Sequence, residues 1–251
     1  MRMHHKPIII EEGAIFIADS HHNSLYQNTL DSIFTELLES KKCQIFLMGD
    51  IFDFLVGPAL KSIRDNQHTL KLLEQLSLKH TIYYLEGNHD FLLKTIPYFK
   101  HIHYFPLDAQ PVLCSFNNKS AYLAHGDIFL SWHYKIFSKI IRNKFLITFL
   151  NLFSSILYPK ITHFLQNKNI KKKKFNPHFK KNFMQFAQLR IEKYLQKLPI
   201  SSDSYIIEGH FHQGGCIVYQ EINYVGLPFF ACKKKYFIVE CANNCLILKE
   251  S

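Results

Sequence analysis

The feature that most constrains how this 251-residue chain can fold is one local pattern that recurs five times. A short apolar run ends in a cluster rich in Asp, His, Asn or Gly. The runs are Ala14 to Ala18, Gln44 to Met48, Thr81 to Leu85, Ala121 to Ala124 and Tyr205 to Ile207. Their length and their β-branched and aromatic content predict strands. Between the first two, Leu30, Ile33, Phe34, Leu37 and Leu38 recur at helical spacing within Leu25 to Ser40. Leu70, Leu72, Leu73, Leu76 and Leu78 mark a second helix before the third strand. Strand–helix–strand repetition predicts an α/β sheet whose functional residues gather at the carboxyl ends of the strands. After Gly214 the pieces become short and alternating (Cys216 to Tyr219, Tyr224 to Val225, Tyr236 to Glu240, Cys245 to Leu248), which predicts a mostly antiparallel sheet closing a sandwich.

The five polar clusters are Asp19-Ser-His21, Gly49-Asp50-Ile-Phe-Asp53, Gly87-Asn88-His89-Asp90, His125-Gly-Asp127 and Gly209-His210-Phe-His212. A lone strand-end Asp is ordinarily a turn or cap residue, and a lone His an ordinary polar group. Five such clusters, each at a strand end, point instead to one shared site. Carboxylate, imidazole and amide oxygen donors without Cys suit Mn²⁺, Fe²⁺ or Zn²⁺. Two ions about 3.5–4 Å apart need a carboxylate that reaches both, and Asp50 is the natural bridge.

In this order, D-x-H, G-D-x-x-D, G-N-H-D, H-G-D and G-H-x-H resemble the motifs of the calcineurin-like metallophosphoesterases, from Asp19 to His212. The resemblance implies a four-layer α-β-β-α sandwich with a helical insertion: residues 1–127 and 201–251 form the core, and 128–200 the insertion. It implies that Asp19, His21 and His212 bind one metal with Asp50, while Asn88, His125 and His210 bind the other with Asp50. Mn²⁺ is the first choice of metal, with Fe²⁺ or Zn²⁺ as alternatives. His89 would face the phosphate as a catalytic group, and Asp53 and Asp90 would orient imidazoles from behind. His22 is extra to the pattern.

Charge separates the insertion from the rest. The chain carries a formal +10, but residues 128–200 hold 15 Lys and Arg against a single acid, Glu192, which leaves the remainder at −4. The same segment is apolar from Phe145 to Leu157, ahead of the run Lys171, Lys172, Lys173 and Lys174. Such a mixture fits an interfacial lid over an amphiphile, a helical subdomain with solvated lysines, or a nucleic-acid groove. The longest apolar stretch, Phe145 to Tyr158, is interrupted by Thr148, Asn151, Ser154 and Ser155 and falls short of the ~20 residues of a spanning helix. MRMHHKPIIIEEG has too short an apolar run for a signal peptide. Cys43, Cys114, Cys216, Cys232, Cys241 and Cys245 are spread without a C-x-x-C pair, which fits a reducing compartment. Cys241 and Cys245 lack the second ligand pair of a zinc site.

Eighty-five positions separate His125 from His210. A basic, apolar cap between these two motifs, with the Arg142-Asn143 stretch ahead of apolar helix, resembles the UDP-2,3-diacylglucosamine pyrophosphatases of lipid A synthesis. That resemblance implies cleavage of a nucleotide-linked glycolipid to UMP and 2,3-diacylglucosamine 1-phosphate, on the cytoplasmic face of the inner membrane. Arg142 and Lys171 to Lys174 would then contact substrate or anionic lipid, and no obligate protein partner is implied. Where the best-known branch carries G-N-R-D this chain carries G-N-H-D, which implies a divergent branch performing the same step. The same metals would also serve a soluble nucleotide phosphodiesterase or a nuclease, with the basic segment tracking phosphates. A binding module that had abandoned catalysis would be expected to have lost ligands, and none is missing.

Overall fold

The computed structural model describes residues 7–23, 29–153, 156–164, 182–228, 237–242 and 245–250. In chain order the elements are β1 (Ile8–Ile9), β2 (Ile15–Ile17), α1 (Thr29–Glu39), β3 (Gln44–Leu47), β4 (Leu55–Val56), α2 (Leu60–Asp65), α3 (Gln67–Lys79), β5 (Thr81–Leu85), β6 (Asp90–Phe91), β7 (His103–Phe105), β8 (Val112–Phe116) and β9 (Lys119–Ala124). Then come α4 (Trp132–Ile141), α5 (Lys144–Leu150), α6 (Ile156–Phe164), α7 (Phe183–Leu195), β10 (Tyr205–Glu208), β11 (Gln213–Tyr219), β12 (Ile222–Pro228), β13 (Phe237–Ala242) and β14 (Cys245–Glu250).

The strands form two six-stranded sheets, ordered β1-β8-β9-β10-β12-β11 and β14-β13-β2-β3-β5-β7, with β4 and β6 paired separately. Because side chains alternate along a strand, each sheet feeds two interfaces. From β2 and β3, Ile15, Ile17, Ile45 and Leu47 face α1 and α3, where they meet Leu30, Phe34, Leu70 and Leu73. Phe16 and Phe46, between them in sequence, point the other way and pack with Leu123, Tyr205 and Ile207 of the opposite sheet. Ile206, flanked by those last two, faces outward onto Ala187, Ile191 and Tyr194 of α7. Three apolar interfaces thus separate four layers: α1 and α3, one sheet, the other sheet, and α7.

All five expected strands form, and the two expected helices appear as α1 and α3. The C-terminal pieces behave differently from the single closing sheet that their alternation predicts. β11 and β12 pair antiparallel at the edge of one sheet, with β12 parallel to β10. β13 joins the other sheet antiparallel to β2 and carries β14 on its outside. Alternation specifies strands but not which sheet edge they join, and here each hairpin caps a different sheet.

Within 128–200, the ends are unlike. α4 begins at Ser131, whose side chain accepts from Tyr134 N, and Asn143 caps α5 by accepting from Leu146 N, so the two helices break between Arg142 and Lys144. α4 buries only Ser138 and α5 buries nothing. By contrast α7 buries Ala187, Arg190, Ile191 and Tyr194 against β10 and β12. Among the described residues no single helix is long and apolar enough to cross a membrane. Lys144–Phe153 and Ile156–Phe164 meet that test only as a pair, and they are bent by 109°. Lys171 to Lys174 lie outside the described residues.

Candidate metal centre

The carboxyl ends of β2, β3 and β5 in one sheet and of β9 and β10 in the other bring all five polar clusters together. Their loops are tight. Asp19, His21, Asp50, His210 and His212 all have positive φ, between 43° and 62°. Non-glycine residues pay for that backbone, and it persists where the surroundings over-determine it. The glycines allow the loops to meet. A Cβ at Gly87 would lie 2.3 Å from Asp50 Oδ1, and one at Gly49, where φ is +84°, 2.6 Å from His125 Nδ1. Either side chain would push the clusters apart.

Among the described residues, donor atoms converge in three groups, each within 4.8 Å: Asp19, His21 and His212; Asp50, His125 and His210; and His21, Asp53 and His89. His212 Nε2 is 3.0 Å from Asp19 Oδ1. His125 Nε2 lies 3.2 Å from His210 Nδ1, 3.4 Å from Asn88 Oδ1 and 3.5 Å from Asp50 Oδ1. Asp50 stands between the first two groups, since its Oδ2 is also 3.8 Å from His21 Nε2. The seven expected ligands are therefore brought together, with Asp50 in the central position.

The ring orientations are set from behind. His125 Nδ1 faces Met48 O at 2.9 Å, and only a proton on that nitrogen satisfies the contact. Its Nε2 is thereby aimed at Asp50 and His210. His89 makes the same kind of contact, Nδ1 to Asp53 O at 2.8 Å, and its ring meets that of His21 edge to face at 4.6 Å.

Electrostatics follow from burial set against close neighbours. Burial raises Asp50, but His125, then His89 and His21, outweigh it and hold its carboxyl well below the ordinary range. Asp19 is lowered in the same way, with His212 overcoming burial. Burial disfavours charge on His125, yet the Asp50 carboxylate prevails and holds this imidazole well above its usual value. His210 is pushed down to about 3 by burial and by His125, and burial lowers His21. The protein thus packs two anionic carboxylates and several imidazoles into one buried space. Nitrogen and oxygen donors of this kind, aimed at common points, fit divalent cations.

Several supporting residues differ from expectation. Asp53 lies beside two imidazoles as expected, with Oδ1 3.7 Å from His21 Nδ1 and 3.8 Å from His89 Nδ1. Asp90 orients no imidazole. It accepts from the backbone N–H of Asp50, Ile51, Phe52 and Gly87 and from the Tyr84 hydroxyl, and so shapes the Asp50 loop. Burial and the nearby Asp50 raise its carboxyl to about 7, against the pull of those donors. Arg142, expected at substrate or membrane, is partly buried at the wall of a cavity beside α4. It pairs with Glu86 at 2.6 Å, donates to Gly87 O at 2.9 Å and approaches Asp127 at 3.5 Å. His22 is a packing residue, buried with Nε2 2.8 Å from Thr69 Oγ1, and Thr69 in turn donates to Asp31.

Sequence reasoning missed Glu86, Arg190 and Glu208. Each is a single charged residue outside any motif, and its near-complete burial marks it in the structure. For Glu86 and Glu208 a signal existed: both stand at the buried end of an apolar strand, directly before the glycine of a ligand loop.

With this geometry the chain belongs to the Calcineurin-like phosphoesterase family, which it matches over residues 14–214. It is a metal-dependent phosphoesterase by family, with residues suited to divalent ions. Among curated proteins it is similar to the UDP-2,3-diacylglucosamine hydrolase of Psychromonas ingrahamii, at 24% identity over 80% of this chain and 81% of that protein. It is also similar to the UDP-2,3-diacylglucosamine hydrolase of Aromatoleum aromaticum, at 27% identity over 52% of this chain, and it spans about half of that relative (54%). Among solved structures, a predicted phosphoesterase from Streptococcus pneumoniae aligns with TM-score 0.40 and 12% identity over 95% of this chain and 88% of that one. Phosphopantetheinyl hydrolase from Mycobacterium tuberculosis aligns with TM-score 0.37 and 9% identity, over 88% and 90%.

Proposed function

We propose that this protein hydrolyses the pyrophosphate bond of UDP-2,3-diacylglucosamine, releasing UMP and 2,3-diacylglucosamine 1-phosphate for lipid A biosynthesis. The observation that carries this reading is a cavity of about 980 Å³ between α4 and the segment from Leu92 to Gln110. Asp127 and Gln110 line it, and Gln110 Oε1 accepts the backbone N–H of His125, so the cavity adjoins the metal cluster. Leu92, Leu107, Ile128, Leu130 and Trp132 supply apolar wall, while Lys94, Lys135, Lys139, Lys144 and Lys197 supply cationic groups. A substrate with acyl chains on one side of a pyrophosphate needs that combination next to the reacting phosphorus. The names of the two curated relatives support the same substrate.

Asp19, His21, His212 and Asp50 would hold one ion, and Asn88, His125, His210 and Asp50 the other, with Mn²⁺ the favoured metal. Bound there, the two ions would polarise phosphoryl oxygens and activate a water as the nucleophile. His89, fixed through Nδ1, offers Nε2 to the phosphate; in its protonated form it stabilises developing charge or protonates the leaving oxygen. The Asp53 carboxylate lies alongside, with Oδ1 3.8 Å from His89 Nδ1. The exposed apolar faces of α4, α5 and α6, with Phe145 89% exposed, suit an anionic inner-leaflet surface from which acyl chains enter. Lys171 to Lys174 extend the same basic segment, each worth about 1 kcal/mol if it reaches the surface.

The test is incubation with Mn²⁺ and UDP-2,3-diacylglucosamine beside an unacylated UDP-sugar, following UMP release. Strong preference for the acylated substrate is expected. Equal turnover of the two would replace this reading with a soluble nucleotide phosphodiesterase.

A further inference from the structure

We infer that Arg190 is a positioning residue for the Asp50–His125–His210 part of the centre: from the last helix of the insertion, one guanidinium fixes the spacing of the two loops that carry His125 and His210. This rests on the metal assignment above and goes beyond it, since Arg190 and Glu208 belong to no motif and touch no proposed ligand atom.

Arg190 is 2% exposed and Glu208 0%. Arg190 Nε donates to Glu208 Oε2 at 2.9 Å and Nη2 to Oε1 at 2.5 Å, a bidentate pair. The hydroxyls of Tyr194 and Tyr224 donate to the same carboxylate at 2.8 and 3.0 Å. Glu208 is the residue directly before Gly209-His210. Nη2 also donates to Ile128 O at 3.1 Å and Gly126 O at 3.4 Å, on the loop that follows His125. The guanidinium lies 5.0 Å from the ring centroid of Phe211, between His210 and His212. One side chain thus grips both loops.

Stability alone does not account for this arrangement. A buried ion pair is often no better than apolar residues of the same volume. What an apolar substitute cannot do is bind a carboxylate and two carbonyls at fixed angles. The gripped backbone needs such help, because His210 (φ +62°) occupies a conformation that non-glycine residues rarely adopt, and Gly126 (φ +120°) leaves its loop free to take others. Two of the three donors in the Asp50–His125–His210 group hang on the gripped loops. In the other group only His212 does so, and Asp19 meets both the His210 backbone N–H and the His212 ring.

The experiment is titration of chelator-stripped protein with Mn²⁺, following free Mn²⁺ by electron paramagnetic resonance together with the spin-coupled signal of a dinuclear pair. The variants are Arg190→Lys, Arg190→Gln and the double change Arg190→Met with Glu208→Met. The double change removes both charges together, so it avoids leaving one buried and unpaired, and thermal unfolding monitors its fold. Wild type should bind two Mn²⁺ per chain. The double variant should bind one normally and the second about 10- to 100-fold more weakly, with the coupled signal lost. Arg190→Lys should not rescue it, because an ammonium cannot reproduce the fork. Unchanged binding of both ions by a folded double variant, or equal weakening of both, would overturn the inference alone. Fewer than two ions in wild type would instead overturn the metal assignment on which it rests.

Discussion

The Asp19–His21–His212 and Asp50–His125–His210 groups use the same donor types, yet different parts of the chain hold them. The first leans on the sandwich itself. Asp19 N and His21 N donate to Gly49 O and Asp50 O, and His22 is tied to Thr69 of α3. The second is flanked by the insertion at both ends. Arg142 of the first helix reaches Gly87 O, next to Asn88, and Arg190 of the last reaches both the H-G-D and G-H-F-H loops. A segment that on charge alone looks like a solvated appendage therefore reaches the loops that carry Asn88, His125 and His210. The rest of that segment, α4 to α6, leaves its apolar residues outside. The segment thus differs along its length: Arg142 and Arg190 turn onto the strand-end loops, while α4 to α6 leave large apolar side chains exposed.

The largest expected effect erases the difference between the groups. Asp50 faces both, so Asp50→Asn and Asp50→Ala should each lower kcat by about 10³-fold or more, roughly 4 kcal/mol or more in barrier, while circular dichroism stays native. Appreciable turnover by either would sink the bridging role. Next in size is a contrast within the insertion. Ile191→Ala on α7 removes a fully buried side chain and should cost about 2–5 kcal/mol in urea unfolding, whereas Ile140→Ala on exposed α4 should stay within about 0.5 kcal/mol. Similar losses at both positions would mean that α4 is as much part of the core as α7. Smaller again is the effect of Phe137→Ser with Phe145→Ser. Both residues are exposed, so binding to anionic vesicles and turnover of acylated substrate should fall several-fold while a small chromogenic diester is unaffected. Parallel loss on both substrates would argue against a lipid-facing surface.

The legible and illegible parts of this molecule divide along physical lines. The five strands and the candidate ligands could be read because strand-end placement and residue type are local signals, and Asp50 could be singled out by chemistry. The β8–β9 hairpin carried a readable mark that was not used. Asn117 and Asn118 form its two-residue turn with φ of 47° and 63°, and Asn tolerates that backbone. The β11–β12 turn is built the same way at Gln220 and Glu221, with φ of 48° and 59°, and no propensity announces it. The ion pair of Arg142 could not be read because its partner Glu86 is 56 residues away. Arg190 was invisible for the same reason.

The smallest expected effect separates ordinary structural histidines from those of the centre. His80, outside both groups, follows α3, with Nδ1 accepting from Cys43 N at 3.2 Å and Nε2 donating to Leu37 O at 2.9 Å. Those two bonds require the neutral ring, and burial holds its pKa below the ordinary 6.5. The unfolded chain therefore takes up this proton more readily than the folded one. His80's contribution is fully present above the unfolded pKa near 6.5 and is lost as pH falls through the folded value. His80→Gln, which keeps one acceptor and one donor but no titration, should flatten the decline in urea stability between pH 7.5 and 5 relative to wild type. Saturating Mn²⁺ should raise both curves at neutral pH and leave the difference between them intact, because His80 is no part of the centre. Identical pH slopes for the two proteins would show that this proton is not among those that acid denaturation must supply.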